Sequence, residues 1–99
     1  MTQPIYKVFM FRNIEAFYQL LPDERNALFE KLNAAFKQAG GEHVITCKSG
    51  WSSEEWPYFG VEKFPNLEAV QQYTDAMDDL NLPRYLVSKT LLGTEWLDE

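Results

Sequence analysis

The chain has 99 residues, a net charge of -6 and a pI near 4.7. That length makes one domain, residues 1–99, with one modest core that buries roughly 60–70% of the unfolded surface. The acidic balance, with Lys and Arg scattered along the chain, argues against nucleic acid or an anionic membrane surface as partner, because both are bound through clustered basic groups. Hydrophobic residues make up 45% and aromatic residues 15%. So many large apolar side chains require a subunit interface or a ligand cavity beside the core.

Cys47 is the only cysteine, so no internal disulfide is possible and no oxidising compartment is implied. Residues 1–5 lack a basic region followed by an apolar one. No apolar run approaches the roughly 20 residues that span a bilayer. A cytoplasmic location is the expectation.

In chain order, residues 5–12 read as a strand. Tyr6, Val8 and Met10 fall on one side; Ile5, Phe9 and Phe11 fall on the other. A strand with one wet face would alternate with polar residues. Both faces are therefore expected to be covered, one by helices and one by a second copy of the chain. Residues 13–20 form a connector with a short helical turn, for which Asn13 is a candidate cap. Pro22 opens a long helix at a first-turn position that tolerates proline. Asp23 and Glu24 complement the positive end of its dipole. Leu28, Leu32, Ala35, Phe36 and Ala39 make its apolar stripe, and Gly40-Gly41 ends it.

Residues 43–49 read as the second strand and residues 58–64 as the third, joined by a connection holding Trp51 and Trp56. Asn66 caps a second long helix, with Leu67, Val70, Tyr73, Thr74, Met77 and Leu80 as its buried stripe. Asn81 and Pro83 stop it. Residues 87–96 form the last strand, bent at Gly93. Each half runs strand, helix, strand, which predicts an α+β, ferredoxin-like β-α-β-β-α-β subunit: an antiparallel sheet with two helices on one face.

This element order, the two-faced first strand and the run Phe64-Pro-Asn-Leu-Glu-Ala-Val70 resemble the dimeric α+β barrel superfamily. An aromatic connector leading into Leu20-Leu-Pro-Asp-Glu-Arg25 is similar to small bacterial darcynin-like proteins. The resemblance implies a homodimer whose sheets close into a barrel. It also implies a family holding cofactor-independent monooxygenases, cyclases and isomerases beside proteins of unknown role. Fold analogy does not choose among them.

The candidate chemistry is sparse. Glu62 sits in the apolar third strand with Tyr58 and Gly60 on its face, while Phe59 and Val61 are expected to meet the helices. Glu62 would then line the inter-subunit side, where poor solvation raises its basicity. The alternative is a structural pair with Lys7, Arg12 or Lys89, or a place near the strand end in solvent. His43, the only histidine, is a second candidate base with a suitable ordinary pKa, but a strand start favours solvent. Cys47 has no evident activator, since Lys48 points to the other face. Tyr6, Trp51, Trp56 and Tyr58 are candidates for ringing an aromatic cavity that takes a small apolar molecule. Asp75, Asp78 and Asp79 share a helix face, but no second cluster supports a metal site. No phosphate loop, Cys-x-x-Cys, His-Glu-x-x-His or Gly-x-Ser-x-Gly is present, so no cofactor or metal is expected. Two readings stay open: a ligand-binding or purely interacting homodimer, and an enzyme using Glu62 or His43 in the same cavity.

Overall fold

The computed structural model describes residues 3–97. The elements run β1 (Ile5–Asn13), α1 (Glu15–Tyr18), α2 (Pro22–Gln38), β2 (Glu42–Lys48), β3 (Tyr58–Phe64), α3 (Leu67–Asp79), a single 3-10 turn (Leu82–Arg84) and β4 (Leu86–Gly93). The strands form one antiparallel sheet in the order β2-β3-β1-β4. This is the ferredoxin-like arrangement, with the two halves of the chain interleaved at the central β1-β3 pair.

The helix ends have local causes. Pro22 occupies the first turn of α2, and Glu24 Oε1 accepts a hydrogen bond from the Leu21 backbone N–H at 2.8 Å. Gly40 leaves α2 at φ +81°, where a side chain would be strained. Asn66 caps α3 by accepting from the Ala69 N–H at 2.8 Å. Asn81 turns the chain after α3 in the left-handed region. Asn13 belongs to β1 and does not cap α1, whose preceding residue is Ile14. β4 stops at Gly93, short of Trp96.

The strand register assigns the faces. Ile5 lies opposite Phe64, Lys7 opposite Glu62, Phe9 opposite Gly60 and Phe11 opposite Tyr58. This set faces the helices. The packed core lies at one end of it: Phe64 is fully buried among Ala39, Ala69, Val70 and Tyr73, with Ile5, Ala35 and Phe36 against them. The rings of Phe36, Phe64 and Tyr73 meet pairwise at 5.2–5.9 Å between centroids. On α3 the buried set is Ala69, Val70 and Tyr73, whereas Leu67 and Thr74 are exposed. α2 buries none of its residues. Its apolar stripe spans a hollow, so Leu28 and Leu32 touch free space where a core helix would touch sheet side chains.

The other face of the sheet carries no helix. Val8, Phe59, Val87, Leu91 and Ile45 are exposed there, Leu91 at 70%. This corrects the expected parity of β3: Phe59 and Val61 point away from the helices, and Glu62 points toward them.

Candidate functional site

Between the sheet and the helices lies a cavity of about 830 Å³. Phe9, Phe11 and Tyr58 form its sheet wall, and Leu28, Phe29 and Leu32 of α2 form part of its roof. Val70, Tyr73 and Met77 of α3 line it too, and Phe17 of α1 adds a buried ring. Gly60 creates room in the sheet. The Phe9 ring lies over it so closely that a Cβ there would stand 2.6 Å from Phe9 Cζ and 2.7 Å from the Ile45 carbonyl oxygen. Phe9, Phe11 and Tyr58 then stack in series, at 6.1 Å and 5.1 Å between centroids. Ser88, Thr90 and Leu92 of the edge strand β4 line the cavity and are exposed, so it opens to solvent along that edge.

One charged pair interrupts this apolar lining where the cavity meets the packed core. Lys7 Nζ stands 3.9 Å from Glu62 Oε1, with the two side chains 8% and 14% exposed. The register causes it: the two residues are direct cross-strand partners on the helix-facing side. Lys7 Nζ also lies 5.3 Å from the centre of the Tyr73 ring. Burial pushes the Glu62 carboxyl up, and Lys7 and His43 only partly offset it. Burial pushes the Lys7 ammonium down, with Glu62 acting against it. Tyr73 is pushed up to about 12 by burial and by the Glu62 charge. All three shifts favour uncharged groups, because poor solvation outweighs the attraction across 3.9 Å.

The sequence candidates separate in space. Glu62 lines the cavity on the helix-covered face of the sheet, not on the open face where the sequence reading put it. The expected alternative of a pair with Lys7 is what the geometry contains. His43 is the cross-strand partner of Glu62 on the opposite neighbour, so His43, Glu62 and Lys7 form one row across β2, β3 and β1. His43 itself is exposed and lies 2.7 Å from Thr46 Oγ1 through its Nε2. An irregularity between His43 and Ile45 brings residues three apart onto one face. Of the four aromatic candidates, only Tyr58 lines the cavity. Tyr6 lies on the open face, its ring 5.8 Å from Lys63 Nζ. Trp51 is 87% exposed in the β2-β3 connection. Trp56 packs beneath the Arg12 guanidinium at 5.3 Å. Cys47 shares the open face with Phe59.

Sequence reasoning missed Lys7 as a site residue, together with the aromatic wall of Phe9, Phe11 and Phe17. The available signal was parity: Lys7 alternates with Ile5, Phe9 and Phe11, a helix-facing set. Among the described residues no group of three or more His, Cys, Asp and Glu is placed to hold a metal ion. Among the same residues no helix is long and apolar enough to cross a membrane.

No family model matches the chain, so the darcynin-like resemblance has no support there, and no curated protein matches. Solved structures do match. A protein of unknown function from Rhodopseudomonas palustris is 18% identical at a TM-score of 0.65, over 99% of this chain and 86% of that one. SnoaB, a cofactor-independent oxygenase from Streptomyces nogalater, is 14% identical at a TM-score of 0.55, over 98% and 97%. A dimeric ferredoxin-like protein of unknown function from Thermobifida fusca is 12% identical at 0.49, over 96% and 93%. At these identities the likeness to the first two bears on the α+β fold alone and leaves function to the site.

Proposed function

We propose that this chain is a binding protein that takes a small, mostly apolar aromatic molecule between its sheet and its helices, and that it works as a homodimer. The observation that carries the binding reading is the cavity of about 830 Å³, walled by aromatic and aliphatic side chains with the Lys7–Glu62 pair at one end. Ligand sites are commonly concave and apolar with a few fixed polar groups, and this volume lies within their usual range. The homodimer is supported by the bare sheet face, where Val8, Phe59 and Leu91 need cover. A second copy offers the same apolar surface and buries both at once.

Filling the cavity tests the binding reading. With 1-naphthol as probe, calorimetry should record binding to the native protein, and Leu32→Trp should weaken it at least tenfold with an unchanged circular dichroism spectrum. Undiminished binding to that variant would place the ligand elsewhere. Light scattering at micromolar concentration should report twice the chain mass of 11.6 kDa, and Leu91→Asp should lower it. A native protein that is monomeric there refutes the dimer.

The second reading is catalysis. One observation favours it: a carboxyl with a raised pKa opens onto the cavity, where it can accept a proton from a bound carbon or oxygen acid. SnoaB supports this reading only in that its fold hosts cofactor-independent oxygenation. Oxygen uptake with a bound hydroxyaromatic, lost in Glu62→Gln, is the result that would favour it over binding alone.

A further inference from the structure

We propose that Lys7 captures an aldehyde or ketone in the cavity as a covalent imine, so that the ligand class is carbonyl compounds with an apolar body. The inference rests on the cavity reading and deepens it. Among the described residues, Lys7 is the only basic side chain lining the cavity. It is 7% exposed, whereas Lys31, Lys37, Lys48 and Lys89 are exposed and Lys63 is half-buried. An ammonium group has three N–H donors to satisfy. Around Lys7 the nearest carboxylate oxygen stands at 3.9 Å, beyond hydrogen-bond distance, and the nearest ring offers only its face. Here the amine is left with an aromatic neighbour, a carboxyl and an opening toward the hollow, and its burial works against the charged form.

The chemistry balances with the groups present. The Lys7 Nζ lone pair attacks the carbonyl carbon, and the π pair moves to oxygen, which takes up the proton released from nitrogen. Glu62 in its acid form then protonates the carbinolamine hydroxyl. Water leaves, the C=N bond forms, and the remaining N–H proton returns to Glu62. One amine and one carbonyl give one imine and one water, with no oxidant or reductant. Burial keeps Glu62 in the acid form to a higher pH than an exposed carboxyl, which favours it as the donor. The apolar wall of Phe9, Tyr58 and Leu32 would hold the ligand body.

The test uses 3-phenylpropanal as probe, with sodium cyanoborohydride to trap any imine as a stable secondary amine. Peptide mapping then resolves each lysine. At neutral pH and limiting aldehyde, Lys7 should be labelled at least tenfold faster than any other lysine. Lys7→Arg should carry no label at that position. Glu62→Gln should slow Lys7 labelling at least tenfold, and Leu32→Trp should suppress it, both with surface labelling unchanged. Labelling of Lys7 in the native protein no faster than of Lys31 or Lys37 overturns the proposal, whatever the variants do. The matched alcohol, 3-phenylpropan-1-ol, separates the two readings. If calorimetry records alcohol binding while Lys7 stays unlabelled, the imine falls and the cavity stands. If neither compound binds and Lys7 stays unlabelled, both fall.

Discussion

Replacing the buried pair by apolar side chains, Lys7→Met with Glu62→Leu, should stabilise the protein near neutral pH. At 3.9 Å the attraction amounts to about 4 kcal/mol for an effective dielectric constant of 20. Withdrawing each ion from water costs several kcal/mol even after relaxation, and two ions are withdrawn here. At this separation no hydrogen bond offsets the loss. The expected gain is about 1–4 kcal/mol, the range for such replacements. In a domain of this size each 1 kcal/mol moves Tm by roughly 4–8 °C. The pH dependence follows from the two shifts. The native Glu62 pKa is raised, so its contribution to stability is full below the ordinary value of 4.5 and is lost as pH rises through the native value. The native Lys7 pKa is lowered, so its contribution is full above 10.5 and is lost as pH falls through the native value. The charged pair is thus least favourable between these limits, and the gain should be largest at pH 7 and shrink toward pH 4. Lys7→Met alone should instead cost up to about 3–5 kcal/mol where both groups are ionised in the native protein, and less at low pH, where Glu62 takes a proton, or at high pH, where Lys7 loses one. Urea denaturation at pH 4, 7 and 9, at fixed protein concentration, measures each value. A double variant less stable than the native protein at pH 7 would refute the reasoning and make the pair a stabilising contact.

Two further substitutions test the packing around the site. Phe36→Ala removes a ring 5.5 Å from Phe64 and 5.2 Å from Tyr73 and should cost about 3 kcal/mol in denaturant melts; a change below about 1 kcal/mol would mean the core is not held there. Gly60→Ala should cost about 1–3 kcal/mol, because the new Cβ meets both the Phe9 ring and a backbone oxygen that cannot swing aside; a neutral melt would show that β3 can shift without penalty.

The order of elements was legible because apolar periodicity, Pro22, Gly40, Asn66 and Asn81 each mark a boundary by local chemistry. The faces of β3 were less legible. Polarity assigned Phe59 and Val61 to the helices and sent Glu62 outward, which is the usual outcome for a lone carboxylate. Register decided otherwise: Phe64 must enter the core, and strand alternation then carries Glu62, Gly60 and Tyr58 to the same side. Opposite them stand Lys7, Phe9 and Phe11, so each charge meets its counter-charge and Gly60 meets the ring that needs its missing side chain. Pairing of this kind is a property of two strands and is invisible in either alone. The irregularity between His43 and Ile45 had no sequence mark at all. Tyr6, Trp51 and Trp56 attracted attention as aromatics, but composition says nothing of which side of a sheet or loop a ring takes.

The same arrangement accounts for the division of the apolar residues. Six hydrophobic residues are buried among those described, in a chain that is 45% hydrophobic. Of the remaining large side chains, Ile5 and Phe36 pack partly buried against that core, and most others line the cavity, crowd the open sheet face or stand in solvent. The core closes only at the Phe64 end, where Phe36 and Tyr73 fill the space under α2 and α3. Toward the other end Phe17 of α1 packs 6.1 Å from Phe29, with the Arg25 guanidinium over its ring at 4.9 Å. Between these two aromatic contacts the helices span a gap, and Gly60 lets the Phe9 ring lie against the β3 backbone at its floor. A domain that leaves one sheet face bare and the other partly hollow forgoes burial worth about 25 cal/mol per Å² on both sides. Occupants of the native state alone would recover part of that by mass action. The cavity and the bare face are thus two consequences of one distribution of apolar residues, and the Lys7–Glu62 pair gives the cavity a polar end.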